Sequence, residues 1–224
     1  MDYDELDLIR AKFLYEDKTR FSCTITINGI QTKCYIATTC KLSKLFAVSE
    51  TEALVTRNHY QRNLSDYSLF ALKKGDDYLI VNSGFANNIV KKILDSQNLD
   101  TKAEYYVENY KCDFYIDENH HLIEVKSIIS DKVAVCLPNI ASKRIIRQFQ
   151  QIYELLLKGY QISYYFVLFA PKAEKIIIDA QTEYGYWFNK CLDRGMKICL
   201  YRVNVNGDLQ ISISQKNCNM LFLK

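Results

Sequence analysis

The chain has 224 residues, 49% of them hydrophobic and 25% charged, which is the balance of an ordinary globular protein with one large or two small domains. A net charge of +3 is too small for a chain that coats nucleic acid along its whole surface, so any such partner must meet a local basic face. Only 7 glycines occur, with no P-loop and no G-x-G-x-x-G, which excludes the usual glycine-lined nucleotide cradles.

The first residues, MDYDELDLIR, are acidic and lack the basic-then-apolar layout of a signal peptide. The longest apolar run, Ile162 to Ala170, is too short to cross a bilayer. None of the 8 cysteines forms a C-x-x-C pair, so they are expected to be buried, reduced thiols in a cytoplasmic protein without structural zinc.

Residues 1–82 read mainly as short strands. Arg20 to Asn28 alternates and ends in Asn28-Gly29, a hairpin turn that leads to a partner strand at Thr32 to Ala37. Further strands are expected at Ser49 to Thr56, Asp66 to Lys73 and Tyr78 to Asn82, with a short helix at Leu42 to Phe46. Five strands in some eighty residues predict a small OB-like barrel, a shape that can bind single-stranded nucleic acid or simply support its neighbour. Arg57 and Arg62 stand in a loop with a histidine and a tyrosine, a mixture able to hold phosphates and bases.

Beyond residue 83 the period lengthens. Ile89, Val90, Ile93 and Leu94 make one face of a helix over Ala86 to Gln97. A strand at Tyr105 to Val107 leads into the stretch CDFYIDENHHLIEVK. Here Asp113, Tyr115 and Asp117 alternate with Phe114 and Ile116, and Glu124 and Lys126 alternate with Ile123 and Val125, predicting a hairpin with one wet face. With a two-residue turn, Asp113 lies opposite Glu124; with a four-residue turn, it lies opposite Lys126. Either register gathers Asp113, Glu124 and Lys126 on one face. Two carboxylates can hold Mg2+ through hard oxygen ligands, and a lysine beside them can position a water or offset charge on a phosphoryl group. A solvated hairpin face uses the same residue types, so the trio alone does not define a site.

Lys132 to Leu137 is expected to be a third antiparallel strand of this sheet. A helix over Ala141 to Lys158 follows, with Ile145, Phe149, Ile152 and Leu156 as its core stripe and Gly159 as its stop. Lys143, Arg144 and Arg147 cluster in its first turns, suited either to phosphates or to plain solvation. Gln161 to Ala170 is nearly all apolar, as for a strand buried on both faces. A helix at Thr182 to Arg194, a strand at Lys197 to Asn204 and a partner at Leu209 to Ile213 complete an α/β unit with a mixed sheet.

This order and several of its motifs resemble the sugar fermentation stimulation protein SfsA family, over nearly the whole chain. The carriers are Arg20-Phe21 with Asn28-Gly29, the segment Thr38 to Leu45, Arg62-Asn63-Leu64 with Tyr67-Ser68, and Asn82 with Asn87. Cys112-Asp113-Phe114 matches the family's Ile-Asp-Phe and Glu124-Val125-Lys126 its Glu-Val-Lys, while Leu137-Pro138-Asn139 resembles its Phe-Pro-Asp with Asn139 in place of the aspartate. Departures include Tyr110-Lys111 for Ser-Arg, Cys40 for glycine, and Ile145, Arg147 and Gln148 for Gly, Lys and His.

The resemblance implies an OB-like barrel over residues 1–82 and a restriction-endonuclease-like PD-(D/E)xK domain over 83–224. It implies a Mg2+- or Mn2+-dependent nuclease acting on DNA, with RNA as a further substrate class, and no membrane or organic cofactor. Asp113 and Glu124 would be metal ligands with the Val125 carbonyl as a third, Lys126 would orient the attacking water, and Glu104 would be an auxiliary carboxylate. Phosphate contacts are expected at Lys41, Arg57, Arg62, Lys143, Arg144 and Arg147. The altered decoration leaves two alternatives, a DNA-binding regulator with a vestigial nuclease site and a protein-interaction module.

Overall fold

The computed structural model describes residues 1–3, 5–19, 21–38, 40–58, 65–138 and 142–224. Its first half is built on β2 (Ile9–Glu16), β3 (Ser22–Ile27), β4 (Ile30–Ile36), β5 (Thr51–Arg57), β6 (Tyr67–Lys74) and β7 (Asp77–Ile80). The strand order is β4-β3-β2-β5-β6-β7, and a parallel β4–β6 pairing closes the first five into an OB-like barrel. Five barrel strands were expected, but one member differs. β2 was not foreseen, whereas β7 lies outside the closure and pairs as a strand with β6. The predicted short helix is a 3-10 turn at Leu42–Lys44.

The second half begins with α1 (Phe85–Ser96). A seven-stranded mixed sheet follows, ordered β1-β15-β14-β12-β10-β9-β8. Its members are β1 (Asp2–Tyr3), β8 (Lys102–Val107), β9 (Tyr110–Ile116), β10 (His121–Ile129), β12 (Gln161–Phe169), β14 (Lys197–Val205) and β15 (Ile211–Gln215). β10, β12 and β14 run parallel, while β8, β9, β15 and β1 add antiparallel edges. β12 sits at the centre with every residue after Gln161 buried, as its nearly continuous apolar sequence required. One predicted pairing is wrong. β11 (Ala134–Leu137) is not in this sheet; it pairs in parallel with β13 (Lys175–Ile178), and β16 (Leu221–Leu223) completes a separate small sheet. Four residues carry no long-range signal about which sheet edge they will find.

The faces of the main sheet have different neighbours. On one side a continuous core joins the barrel strands, α1 and residues such as Phe114, Ile116, Ile123 and Phe169. On the other, α2 (Lys143–Leu157), α3 (Glu183–Asp193) and the small sheet pack over Cys112, Tyr115, Leu122, Tyr164 and Phe166. α2 is started by Ser142, whose hydroxyl accepts from the Ile145 N–H at 3.4 Å. It buries Ile145, Phe149, Ile152, Leu155 and Leu156, each worth roughly 1.5–3 kcal/mol. Gly159, with φ +92°, ends it as expected. The barrel is further tied to the sheet by Arg10, which pairs with Glu52, donates to Tyr78 Oη at 2.8 Å and reaches the Gly207 carbonyl at 2.7 Å. All eight cysteines are free; Cys136 and Cys218 are exposed, against the expectation of burial. Among the described residues no helix is long and apolar enough to cross a membrane.

Candidate active site

β9 and β10 pair as His121↔Ile116, Leu122↔Tyr115 and Ile123↔Phe114, which brings Asp113 opposite Glu124. This is the first of the two registers, but the connection is longer than two residues. Asp117–Asn119 form a 3-10 turn and His120 takes φ +51°, so four residues lie between the paired ends.

The expected wet face does not exist. Cys112 and Tyr115 both enter the α2 side of the core, three residues apart, while Phe114 and Ile116 enter the barrel side. The two-residue alternation therefore changes phase at Asp113, and across from it on β8 Glu104 leaves the extended region with φ +55°. The ladder between β9 and β10 stops there, and the Asp113 carboxylate takes over: its Oδ2 accepts the Val125 N–H at 2.7 Å. Oδ1 accepts from Asn87 Nδ2 of α1 at 3.1 Å.

Glu124 is 8% exposed and points to the α2 side. The Tyr110 hydroxyl donates to its Oε2 at 2.5 Å, and the Gln148 amide donates to Oε1. Gln148 also reaches the Tyr110 hydroxyl at 3.3 Å, so the three side chains close a ring. Burial, then the charge of Asp113, push the Glu124 carboxyl up to about 8, although both donors pull the other way. Burial also raises Asp113, opposed by the Val125 and Asn87 hydrogen bonds. Lys126 is half-buried with no ion pair among the described residues; burial lowers its pKa, with Arg144 acting in the same direction and Glu124 and Asp113 against it.

The structure thus brings together Asp113, Glu124, Lys126 and the nearby charge of Arg144. Lys143 and Arg147 are exposed on the same first turns of α2. Glu104 is close enough for its charge to raise Asp113, yet its side chain is exposed and paired with Lys111 at the rim. Arg57 and Lys41 belong to the barrel. Arg57 lies 5.9 Å from the Tyr67 ring centre, and Lys41 donates to the carbonyls of Asp17 at 3.5 Å and Lys18 at 3.2 Å. Arg62 lies outside the described residues.

Asn87, Tyr110 and Gln148 were not foreseen as site residues. Asn87 stood in the family-like motif, but a lone Tyr or Gln offers no signal from spacing. Next to the ring, Tyr164 occupies the β12 position beside Glu124, and its hydroxyl is buried without a partner among the described residues.

Two adjacent carboxylates, both disfavoured as anions by burial, with the charge of Asp113 acting further on Glu124 and that of Glu104 on Asp113, form a donor set of hard oxygens that a divalent cation would relieve. Each of their four oxygens accepts one hydrogen bond and keeps a second lone pair. Among the described residues no group of three or more His, Cys, Asp or Glu side chains is placed to hold a metal.

A closed barrel followed by a mixed sheet with Asp113 and Glu124-x-Lys126 at a splayed hairpin is the architecture of a restriction-endonuclease-like PD-(D/E)xK protein with an OB-like domain. The family described as the sugar fermentation stimulation protein RE domain matches residues 80–208, more than half of the chain, and the chain belongs to it. A sugar fermentation stimulation protein homolog of Clostridium beijerinckii is 22% identical over 215 residues, covering 90% of this chain and 93% of its own. One from Sulfolobus acidocaldarius is 27% identical over 152 residues, 66% of this chain and 64% of its own. The solved structure of Pyrococcus furiosus SfsA in complex with Ca2+ superposes with a TM-score of 0.82 over 100% of this chain and 98% of that one. At 16% identity this likeness is one of fold.

Proposed function

We propose that the chain is a divalent-metal-dependent nuclease of the cytosol that hydrolyses phosphodiester bonds in DNA, with RNA as a further substrate class. The observation that carries this is the buried pairing of Asp113 with Glu124 beside Lys126. The Ca2+ bound by the Pyrococcus furiosus structure supports a divalent ion for the same fold. Asp113, Glu124 and the Val125 carbonyl would hold Mg2+ or Mn2+. Such an ion, when bound, polarises a phosphoryl oxygen and lowers the pKa of water.

The remaining work falls to the protein. Lys126 orients the attacking water and offsets charge on the phosphoryl oxygens. Arg144, Lys143 and Arg147 receive the flanking phosphates. Asn87 and the Val125 N–H fix the Asp113 carboxylate, and Glu104 at the rim adds to the negative field that attracts a cation. Arg57 and Lys41 extend contact with the strand onto the barrel, and Arg62, outside the described residues, is assigned the same phosphate-binding role.

Cleavage of single- and double-stranded DNA and RNA, with Mg2+, Mn2+ or EDTA, tests the proposal. Metal-dependent cleavage should fall at least ~100-fold in both Asp113→Ala and Lys126→Ala. Binding without cleavage at any metal concentration would favour the second reading, a DNA-binding regulator with a vestigial site. That reading draws on the Tyr110 and Gln148 donors already engaging Glu124.

A further inference from the structure

The outer face of the barrel carries a second grouping of chemistry that the carboxylate site does not use. Directly across the β3–β4 pair, Tyr35 faces Ser22 and Lys33 faces Thr24, and Tyr15 of β2 faces Thr24 from the other side. Cys23, Ile25, Cys34 and Ile36 turn inward, so these partners share the outward face. Tyr15 is 54% exposed, Tyr35 44% and Phe21 39%. The Phe21 and Tyr35 rings lie side by side, centroids 6.3 Å apart and planes tilted by 37°.

Phe21 is presented by an unusual backbone. Its φ is +67°, in the left-handed region that a bulky side chain rarely adopts. Bonds on either side hold it there: Ile36 N–H donates to the Phe21 carbonyl at 2.9 Å, and Asp17 N–H donates to the Ser22 carbonyl at 3.0 Å.

Beside the rings, Lys33 pairs with the buried carboxylate of Asp17, Lys41 reaches its backbone carbonyl, and Lys18 is its chain neighbour. Asp17 is buried and accepts from Ser22 Oγ at 2.5 Å, Thr24 Oγ1 at 3.0 Å and Lys33 Nζ at 2.8 Å. Lys41 Nζ reaches the backbone carbonyls of Asp17 and Lys18, and the Lys18 side chain is exposed. Glu16 is spent on the Leu42 and Ser43 N–H groups. The face therefore keeps excess positive charge next to exposed rings.

We propose that this face is a stacking subsite for unpaired bases of a single-stranded nucleic acid, with Phe21 and Tyr35 as the platform and Lys33, Lys41 and Lys18 on the phosphates. This rests on the reading that the chain acts on nucleic acid, and it narrows the substrate to one with an unpaired stretch. Aromatic rings beside ammonium groups suit a polymer that alternates flat bases with phosphates. A duplex keeps its bases stacked internally and cannot offer their faces. The grouping is built of Tyr, Phe, Thr, Ser and Lys; the exposed aliphatic Ile30 stands at the far end of β4, so a lipid surface or an apolar protein segment has little to bury here.

The test is fluorescence anisotropy of the full chain with a labelled oligo-dT and a duplex of equal length, in EDTA so that nothing is cut. Tyr35→Ala and Phe21→Gly should each weaken single-strand binding by roughly 5- to 150-fold, with duplex binding little changed. Tyr35→Phe should keep the affinity, and so should Ile30→Ala. Phe21→Gly removes the ring but also relieves the left-handed backbone, so its Tm should hold or rise while binding falls. Single-strand affinity unchanged in both ring variants overturns the subsite, as does a wild type that prefers duplex. So does a Phe21→Gly chain whose binding falls only with its Tm. The nuclease reading is judged separately, by metal-dependent cleavage in the wild type.

Discussion

The ring of Tyr110, Glu124 and Gln148 gives a sharp comparison between two tyrosines. The Tyr110 hydroxyl donates to Glu124 at 2.5 Å in a buried setting, whereas the Tyr164 hydroxyl, one strand away, has no partner among the described residues. A hydrogen bond to a charged group contributes about 1.5–3 kcal/mol, which corresponds to roughly 10- to 100-fold in the affinity of a cation that needs the carboxylate ionised and oriented. Tyr110→Phe should therefore weaken Ca2+ binding by that factor in a calorimetric titration. The Tyr110 bond pulls the Glu124 pKa down from a value that still reaches about 8, so its loss raises the carboxyl further. The defect should be largest near neutrality and shrink in strongly alkaline buffer. Tyr164→Phe deletes an oxygen without a hydrogen-bond partner among the described residues; Ca2+ affinity should be unchanged and the chain about 1 kcal/mol more stable. Equal losses of affinity in the two variants would refute the reasoning, because general disturbance of the aromatic packing would then be the cause.

Three further outcomes follow from the same geometry. Glu124 titrates at about 8 in the folded chain against an ordinary 4.5, so between those values the folded chain retains a proton that the unfolded chain has lost. That contribution to stability is complete at low pH and disappears as pH rises through the upper value. The stability of Glu124→Gln relative to the wild type, from urea titrations without metal, should thus grow by roughly 1–3 kcal/mol from acid to alkaline pH; a flat difference would contradict it. At Gly185 an added Cβ would stand 2.0 Å from the Asp179 carbonyl oxygen, a backbone atom that cannot swing aside, so Gly185→Ala should cost about 2–4 kcal/mol. Thermal melts matching the wild type would show that the N-terminus of α3 shifts freely. Asn87→Ala removes a donor from Asp113 and should lower Ca2+ affinity ~10-fold with little change in Tm, as measured by the same calorimetry.

Much of this molecule is visible in its sequence where one physical demand acts over many residues. β12 is nearly all apolar from Ile162 onward because both of its faces are covered, and α2 repeats its stripe because one side meets the sheet. The trio Asp113, Glu124 and Lys126 could be gathered because two antiparallel strands leave few registers. What escaped was local or distant. β2 alternates in its first half, but a bulge between Phe13 and Tyr15 breaks the period, and an acidic leader precedes it. At Asp113 the alternation itself changes phase, so a two-residue rule assigned Tyr115 to solvent when it is buried. Gln148 meets Glu124 only because a helix crosses a strand 24 positions away, and no spacing encodes that crossing. β11, β13 and β16 are too short to announce their sheet.

The core that runs unbroken from the barrel through α1 into the main sheet leaves no hinge between the two halves. Opening one against the other would expose Phe70, Phe85 and Phe169, which pack ring to ring across the junction. The protein is in this sense a fixed jig. On the function proposed above, a strand that touches the barrel and the carboxylates together would meet a fixed surface and would not be drawn in by closure.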